Sequence, residues 1–503
     1  MIMDELHWSA QIAYPVLGML QLVPLLAAVL VLFWNTRKGL FPLAILLVLL
    51  ECLLAFELYR HFDSSRPVLQ FAEQLPLLPS LVYHAAVDGI SVLFILLTAF
   101  LTLMLVLYAR IRQLPSAAHF MAIIFAVQSA LMGSFVTQNL LWFALCSTLA
   151  VMLVGYLLRW ANAPQEYLAR QRYMQFMGIS LLLLFTGVAM LGWNYADLNQ
   201  GRWSFELAAL LTTPIPTSLQ TVIFFLLFYG LAIRVPLFPL HGWLPLIAEH
   251  GTVAVAGVFL LGLKTGVYGL IRFVFPLLPD AVLRWQVYVV AFAVVGIFYA
   301  ALLALMQNNL RRLLAFAVVS HTSVLVIGLF TLTHDAFMGA VMLSVNFGLA
   351  TACLLFVSGM VFRRTRTLRL DQLGGLFDRL PLIGAAFLIA GLSIIGMPGT
   401  PGFDAVHLVL EAEIIEFGAL VTIAAALGNV AAAAFLLWAF QRAFLAPANE
   451  AFVQREIEKA TGMERLLVGG MLLVLLVAGF HSQPWLSLID LSLEPLGVLY
   501  GHE

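Results

Sequence analysis

The sequence predicts an all-α polytopic membrane protein of about 14 spanning helices, two of them broken in mid-membrane. Three observations carry this. The chain is 63% hydrophobic and only 10% charged, where a soluble domain carries roughly 25% charge. Its apolar residues fall into runs of about 20, the length that crosses a hydrocarbon core, with Gly, Pro and charged clusters between most of them. The stretch Phe224–Phe273 sets two cations, Arg234 and Lys264, and the break Val235-Pro236 inside apolar sequence. Arg or Lys at a bilayer centre costs roughly 2.5–3.5 kcal/mol on insertion scales, so such residues face a bundle interior or a wet cavity and mark ion pathways. A broken helix at that depth survives only where protein or water satisfies the freed backbone.

In chain order the candidate spans are 14–33, 40–59, 89–109, 117–137, 139–158, 174–193, 217–240, 251–275, 284–306, 311–332, 335–362, 380–414, 417–441 and 463–482. Between them, 60–88 reads as a long loop with Pro67, Pro76 and Pro79, 194–216 as another, and 442–462 as a polar loop rich in Glu and Arg. Segment seven breaks at Val235-Pro236, followed by Pro239, His241, Trp243 and Pro245. Segment twelve breaks at Gly396-Met397-Pro398-Gly399-Thr400-Pro401-Gly402. Breaks five segments apart point to inverted repeats with ion sites near the midplane. They divide the chain into 1–115 (helices 1–3), 116–276 (first repeat, helices 4–8), 277–441 (second repeat, helices 9–13) and 442–503 (polar loop and helix 14).

Orientation follows from Lys and Arg in the loops. With the N-terminus outside, only Arg60, Arg66, Arg202, Arg272 and Arg284 of the 25 Lys and Arg residues fall on the outer side, and Arg234 and Lys264 lie within segments. All the others are then inside, so both termini are expected on the outer side. No basic stretch precedes the first apolar run, so no cleaved signal peptide is expected. The net charge of −1 gives no sign of nucleic acid as a partner. Cys52, Cys146 and Cys353 sit in apolar runs without metal-ligand spacing and read as small buried hydrophobes. There is no Gly-rich phosphate loop, CxxC cluster or dinucleotide fingerprint. No flavin, haem, iron–sulfur or metal cofactor is therefore expected in this chain, and redox chemistry would belong to a partner.

The intramembrane polar residues carry the chemistry. Lys264 lies too deep in segment eight to snorkel; desolvation disfavours the charged form of an amine, which is what lets a buried lysine exchange protons. The alternative is a lysine locked in a structural ion pair. Arg234 keeps its charge and stands either as a fixed charge tuning a neighbour or as a donor to carbonyls freed at the break. His241 at the break of segment seven, His250 at the start of segment eight and His321 in segment ten are candidate proton relays. His321 is the strongest of these because it shares the membrane with Lys264. A lone buried histidine is otherwise a satisfied core residue. Asp404, His407 and Glu411 follow the break in segment twelve, and their spacing puts them on one helical face. That acid–His–acid stripe reads as an ion inlet or exit, with interfacial charge as the alternative.

Six motifs go further. They are Val87-Asp88-Gly89-Ile90-Ser91 before segment three, Val235 to Pro245 (VPLFPLHGWLP) in segment seven, and Leu263-Lys264-Thr265-Gly266-Val267-Tyr268-Gly269 in segment eight. Asn309 to Phe316 (NLRRLLAF) leads into Val319-Ser320-His321, and Leu373-Gly374-Gly375-Leu376 and Gly396-Met397-Pro398-Gly399 complete the set. Over about residues 84–440 they resemble the antiporter-like, proton-translocating subunits of respiratory complex I (NADH:quinone oxidoreductase), most of all the M subunit, a group related to Mrp-type antiporter subunits. The resemblance implies two inverted five-helix repeats, helices 4–8 and 9–13, and proton translocation along a central polar axis, driven by a redox arm that partners supply. It implies a bacterial-type inner membrane, with other membrane subunits and the lipid bilayer as partners.

Residue by residue, the resemblance matches Lys264 to the family's central lysine of helix eight and His321 to its helix-ten histidine. The chain departs from the pattern elsewhere. Thr148 stands where the helix-five glutamate is expected, Arg234 where helix seven has lysine, Phe347 where helix eleven has histidine, and Val406 where helix twelve has glutamate, with His407 and Glu411 as neighbours. Two other readings stay open. One is a subunit of an ion-coupled transporter, either a cation/proton antiporter or an inorganic-carbon uptake complex. The other is a spacer whose proton path has degenerated.

Overall fold

In hydrocarbon a backbone N–H or C=O finds no partner but another backbone group, so apolar runs of this length become helices. The computed structural model describes residues 4–34, 37–78, 81–112, 116–158, 164–250, 264–447 and 457–501. Its spans are α1 (Val16–Phe33), α2 (Arg37–His61), α3 (Gly89–Arg112), α4 (Ala117–Val136), α5 (Leu140–Leu157) and α6 (Pro164–Leu198). Helix seven is split into α7a (Thr217–Arg234) and α7b (Leu244–His250). The described part of α8 is 264–277. Next come α9 (Pro279–Leu305), α10 (Leu310–Phe330) and α11 (His334–Thr365). Helix twelve is also split, into α12a (Pro381–Ile395) and α12b (Pro401–Glu416). The chain continues through α13 (Ala419–Leu445) and α14 (Gly462–Phe480). Among the described residues 12 helices are long and apolar enough to cross a membrane. Neither α8 nor the split helix twelve is among them, and adding those two gives the expected 14. The first half of segment eight, 251–263, and Arg159 and Arg455 lie outside the described residues.

Two elements differ from the sequence reading. Residues 60–88 are largely strand rather than loop: β2 (Leu69–Leu78) pairs antiparallel with β3 (Leu81–Val87), and β1 (Glu5–His7) adds to β2 in parallel. Three prolines suggested a loop, but Pro76 tolerates a strand in a short sheet, where a missing N–H costs little. A further helix, α15 (Gln483–Leu499), follows α14. It lies against the starts of α3 and α11: the Gly89 N–H donates to Ser492 Oγ at 2.9 Å, and His334 meets the Asp490 carbonyl at 3.1 Å.

The centre of the bundle is α10 and α11, buried along almost their whole length, with α3 and α4 nearly so. Peripheral helices turn large apolar side chains outward, among them Leu22, Leu46, Leu182, Val287, Leu420 and Leu473. The C-terminal end of α11 is tied to α14 by a fully buried, two-pronged ion pair. Arg364 donates to Glu464 at 2.9 and 2.7 Å, and Glu464 also closes a capping box with Thr461.

Backbone features recur five helices apart. Asn139 caps α5 and Asn309 caps α10. Each sits in a two-bond bridge to the chain preceding a later short helix. Leu140 N donates to Phe205 O and Leu207 N to Gln138 O; Leu310 N donates to Leu368 O and Leu370 N to Asn308 O. Helices seven and twelve are both split, and each of α8 and α13 carries a π turn near its C-terminal end, at Leu270–Val274 and Gln441–Leu445.

The strand layer is pinned by His84 on β3. Its Nδ1 lies 2.8 Å from Glu206 and its Nε2 3.0 Å from Glu5, while Asn139 donates to the other Glu206 oxygen at 2.7 Å. Burial alone would lower the His84 pKa, but the hydrogen bonds and charges of Glu206 and Glu5 outweigh it and hold the value up at about 9. A histidine raised in the folded state adds stability that is fully present below its unfolded value, near 6.5, and is lost as pH rises through about 9. The thermal midpoint of the purified protein is therefore expected to fall between neutral pH and pH values above 9, and to fall less steeply in His84→Gln. Equal slopes for the two proteins would show that this cluster does not hold the layer.

Candidate functional site

Both breaks are closed by specific hydrogen bonds. At the end of α7a, Pro236 has no N–H to offer. Leu237 N reaches back to Ala232 O at 3.1 Å, and the Trp243 indole donates to Ile233 O at 3.0 Å. At the end of α12a, Gly396 takes the left-handed conformation (φ 83°), and Met397 N donates to Leu392 O at 3.1 Å, the closing bond of a Schellman turn. Asn346 of α11 completes the closure, donating to Ser393 O at 2.9 Å and accepting from the Ser393 hydroxyl at 2.5 Å.

Between the two closures lies a small cavity of about 30 Å³, enough to hold a water molecule. Lys264 and His321 line it together, with the hydroxyl-bearing Thr322, Ser344 and Thr351. Val235 reaches it from the first break and Ile394 from the second. Lys264 is 3% exposed and His321 2%. The lysine fits because α11 has no side chain at Gly348. A Cβ there would lie 2.6 Å from Lys264 Cε and 2.8 Å from Nζ. The His321 ring packs 5.2 Å from that of Phe347, and its Nε2 has no hydrogen-bond partner among the described residues. A buried amine, an imidazole with an open nitrogen and three hydroxyls around a water-sized space form an arrangement that can pass a proton.

The other expected residues stand apart from this cavity. Arg234 is buried in the last turn of α7a. Its Nε donates to Ser180 Oγ at 3.0 Å, and Ser180 in turn donates to Gly230 O, but both terminal nitrogens lack hydrogen bonds among the described residues. The Thr148 hydroxyl on α5 is likewise without a partner. His241 sits in the first break among the rings of Phe238, Tyr299 and Phe316, at 6.0, 5.6 and 6.3 Å. His250 ends α7b beside Glu249, which pairs with Arg312 at 3.2 Å.

The stripe on α12b turns away from the interior. His407 Nδ1 lies 3.3 Å from Glu411, and their side chains are 64% and 66% exposed; Asp404 is half-exposed. The reason is packing. The adjacent face, with Ala405, Val406 and Val409, is the one that enters the bundle, where Val409 fills the space left by Gly328 and Gly339. On that inward face, one turn from the helix end, stands a residue that spacing between charges missed. Glu413 is fully buried, and neither oxygen has a hydrogen-bond partner among the described residues. Its signal was its register with the apolar positions 405, 406 and 409. A second such carboxylate, Glu51, lies on the buried face of α2 with Val48, Leu54 and Ala55. Among the described residues no three His, Cys, Asp or Glu side chains come together as metal ligands would.

Residues 139–433 match the family described as NADH:quinone oxidoreductase/Mrp antiporter, transmembrane. The chain is 28% identical to the NADH-quinone oxidoreductase subunit M of Rickettsia conorii, over 97% of this chain and 99% of that one. It is 33% identical to an NAD(P)H-quinone oxidoreductase chain 4 of Thermosynechococcus vestitus, over 78% of this chain and 74% of that one. Among solved structures it superposes on a chain of respiratory complex I from Thermus thermophilus with bound NADH. That match has a TM-score of 0.85 at 26% identity, covering 97% of this chain and 100% of that one. A chain of the Mrp complex from Dietzia shares the fold, with a TM-score of 0.85 at 19% identity over 97% of each chain.

Proposed function

The chain belongs to the NADH:quinone oxidoreductase/Mrp antiporter transmembrane family, and on that premise we propose that it is a proton-translocating, antiporter-like subunit in the membrane arm of a complex I-like NADH:quinone oxidoreductase. The observation that carries this reading is the cavity that Lys264 and His321 share between two interrupted helices. Lys264 is the principal proton carrier and His321 its relay. The hydroxyls of Thr322, Ser344 and Thr351 hold the water between them. Electron transfer belongs to partner subunits, and proton transfer here is coupled to it through the membrane arm.

With both termini on the outer side of a bacterial-type inner membrane, α7b faces inward and α12b outward. His250 and His241 then lie on the inner approach to Lys264, and Glu413 on the outer one. Glu413, rather than the exposed pair His407 and Glu411, is the outer proton group; the exposed pair meets headgroups or a neighbouring subunit. The recurrence of caps, breaks and π turns supports the division into helices 4–8 and 9–13. One observation favours a spacer that no longer conducts: Thr148, Arg234 and Phe347 stand where the family has a titratable relay, and none exchanges a proton at neutral pH.

Lys264→Met decides between these. Proton uptake coupled to quinone reduction in reconstituted vesicles is expected to fall at least about a hundredfold, the scale of a lost acid–base group, with the complex still assembled. Flux near wild type would leave the spacer. Gly348→Ala, which displaces the Lys264 side chain, is expected to lower flux in the same direction.

Glu413→Gln should cut flux about tenfold or more, whereas His407→Phe and Glu411→Gln leave its pH profile unchanged. The opposite pattern would return the outer role to the exposed stripe.

Thr148→Glu combined with Arg234→Lys is expected to restore a titratable pair and to keep or raise flux. A double variant that assembles yet loses flux would show that the fixed charge of Arg234 is needed.

A further inference from the structure

A second and larger cavity stands behind the Lys264 site. It has a volume of about 210 Å³ and lies between α3, α11, α12b, α14 and α15. Its floor is Leu93, Leu97, Met342, Val345 and Leu349, all buried, with Pro401 at the start of α12b. Leu96, Phe100, Val474 and Trp485 form its mouth and are half-exposed. The lining is made of apolar side chains.

Three features identify the occupant. The mouth opens between membrane-spanning helices, so hydrocarbon stands at its door. The α3 wall from Leu93 to Phe100 runs roughly 10 Å along the helix at 1.5 Å per residue, from the α15 end of the bundle towards the break in helix twelve. An apolar void of this size does not hold water: an engineered cavity of about 150 Å³ lined by Leu, Ile and Phe stays dry and takes up benzene. Left empty, its lining would forfeit dispersion contacts. We infer that this cavity binds one acyl chain of a phospholipid from the leaflet on the α15 side, its hydrocarbon against the apolar lining.

The acyl chain bears directly on the proton site. A Cβ on Gly348 would lie 2.8 Å from Lys264 Nζ and 3.3 Å from Leu97 Cδ2. Leu97 is thus the wall between the lysine and the lipid, and bound hydrocarbon holds that wall in place.

The test is photolabelling of the intact membrane complex with a phospholipid carrying a diazirine in its acyl chain, read by peptide mapping. Adducts are expected on residues 93–100 and 342–349. They should drop severalfold in Val345→Phe, which fills the floor, and stay unchanged in Leu466→Phe on the exposed face of α14. Should Val345→Phe not assemble, Ala478→Leu narrows the same space from α14. The inference is overturned by a wild-type complex without adducts on these segments, or by adducts that persist equally in the filled variants. It is overturned as well if a photoreactive isoprenoid probe labels these segments and the phospholipid does not, or if a neighbouring subunit's side chain crosslinks there instead. None of these readouts depends on proton flux.

Discussion

A helix that stops inside a bilayer leaves backbone groups unpaired, and hydrocarbon charges several kcal/mol for each one left so. The centre of this protein is arranged by that constraint. At the first break a tryptophan indole and a stretched backbone bond take the freed carbonyls. At the second, a left-handed glycine and Asn346 do so. Each closure ends beside the same small space, through Val235 on one side and Ile394 on the other. A cation is tolerable in mid-membrane only where such polar, water-sized room exists. Lys264 lies in that room, and Gly348 leaves the width its side chain requires.

Much of this was legible in the sequence because its signals are large. Runs of about 20 apolar residues announce spans, proline and glycine announce breaks, and a lysine within such a run has few places to go. Lys264 and His321 were found on those grounds and do share a cavity. The exposure of the stripe on α12b could not be read in advance, because charge spacing shows that residues share a face, not which face is inside. The inward face is set by complementarity between Val409 and two glycines on α10 and α11, and that contact is written in three separate segments. Glu413 and Glu51 were overlooked for the same reason: each is a single carboxylate whose burial depends on what its apolar neighbours pack against. The strands of 69–87 escaped because Pro67, Pro76 and Pro79 read as a loop, although β2 and β3 pair as a local hairpin.

The recurrence of features five helices apart shows how far symmetry reaches. Caps, bridges, breaks and π turns repeat, and these are backbone devices. The polar groups do not repeat. Lys264 stands six residues before the first π turn, and the same place before the second is Phe435, fully buried. Arg234 ends α7a, and Ile395 ends α12a. The backbone devices recur, and the cations Lys264 and Arg234 have no cationic counterparts at the matching positions. Backbone geometry must be kept wherever a helix breaks in a membrane, whereas a side chain that carries protons need occur only where the path runs.

Two of the buried charges, Arg234 and Glu413, differ in what they can do. Arg234 and Glu413 each have side-chain atoms without hydrogen-bond partners among the described residues, and in a medium of low polarity a charge so placed is costly. A guanidinium has no way to shed its charge at physiological pH, so Arg234 must be met by dipoles, of which the Ser180 hydroxyl is one. Its effect on a passing proton is therefore constant. A carboxyl group can relieve the same cost by taking up a proton, so the charge of Glu413 is free to alternate where that of Arg234 is not. A conducting path needs groups of the second kind along its length and tolerates the first kind only as fixed surroundings. Lys264, His321 and Glu413 are of the second kind, on helices eight, ten and twelve.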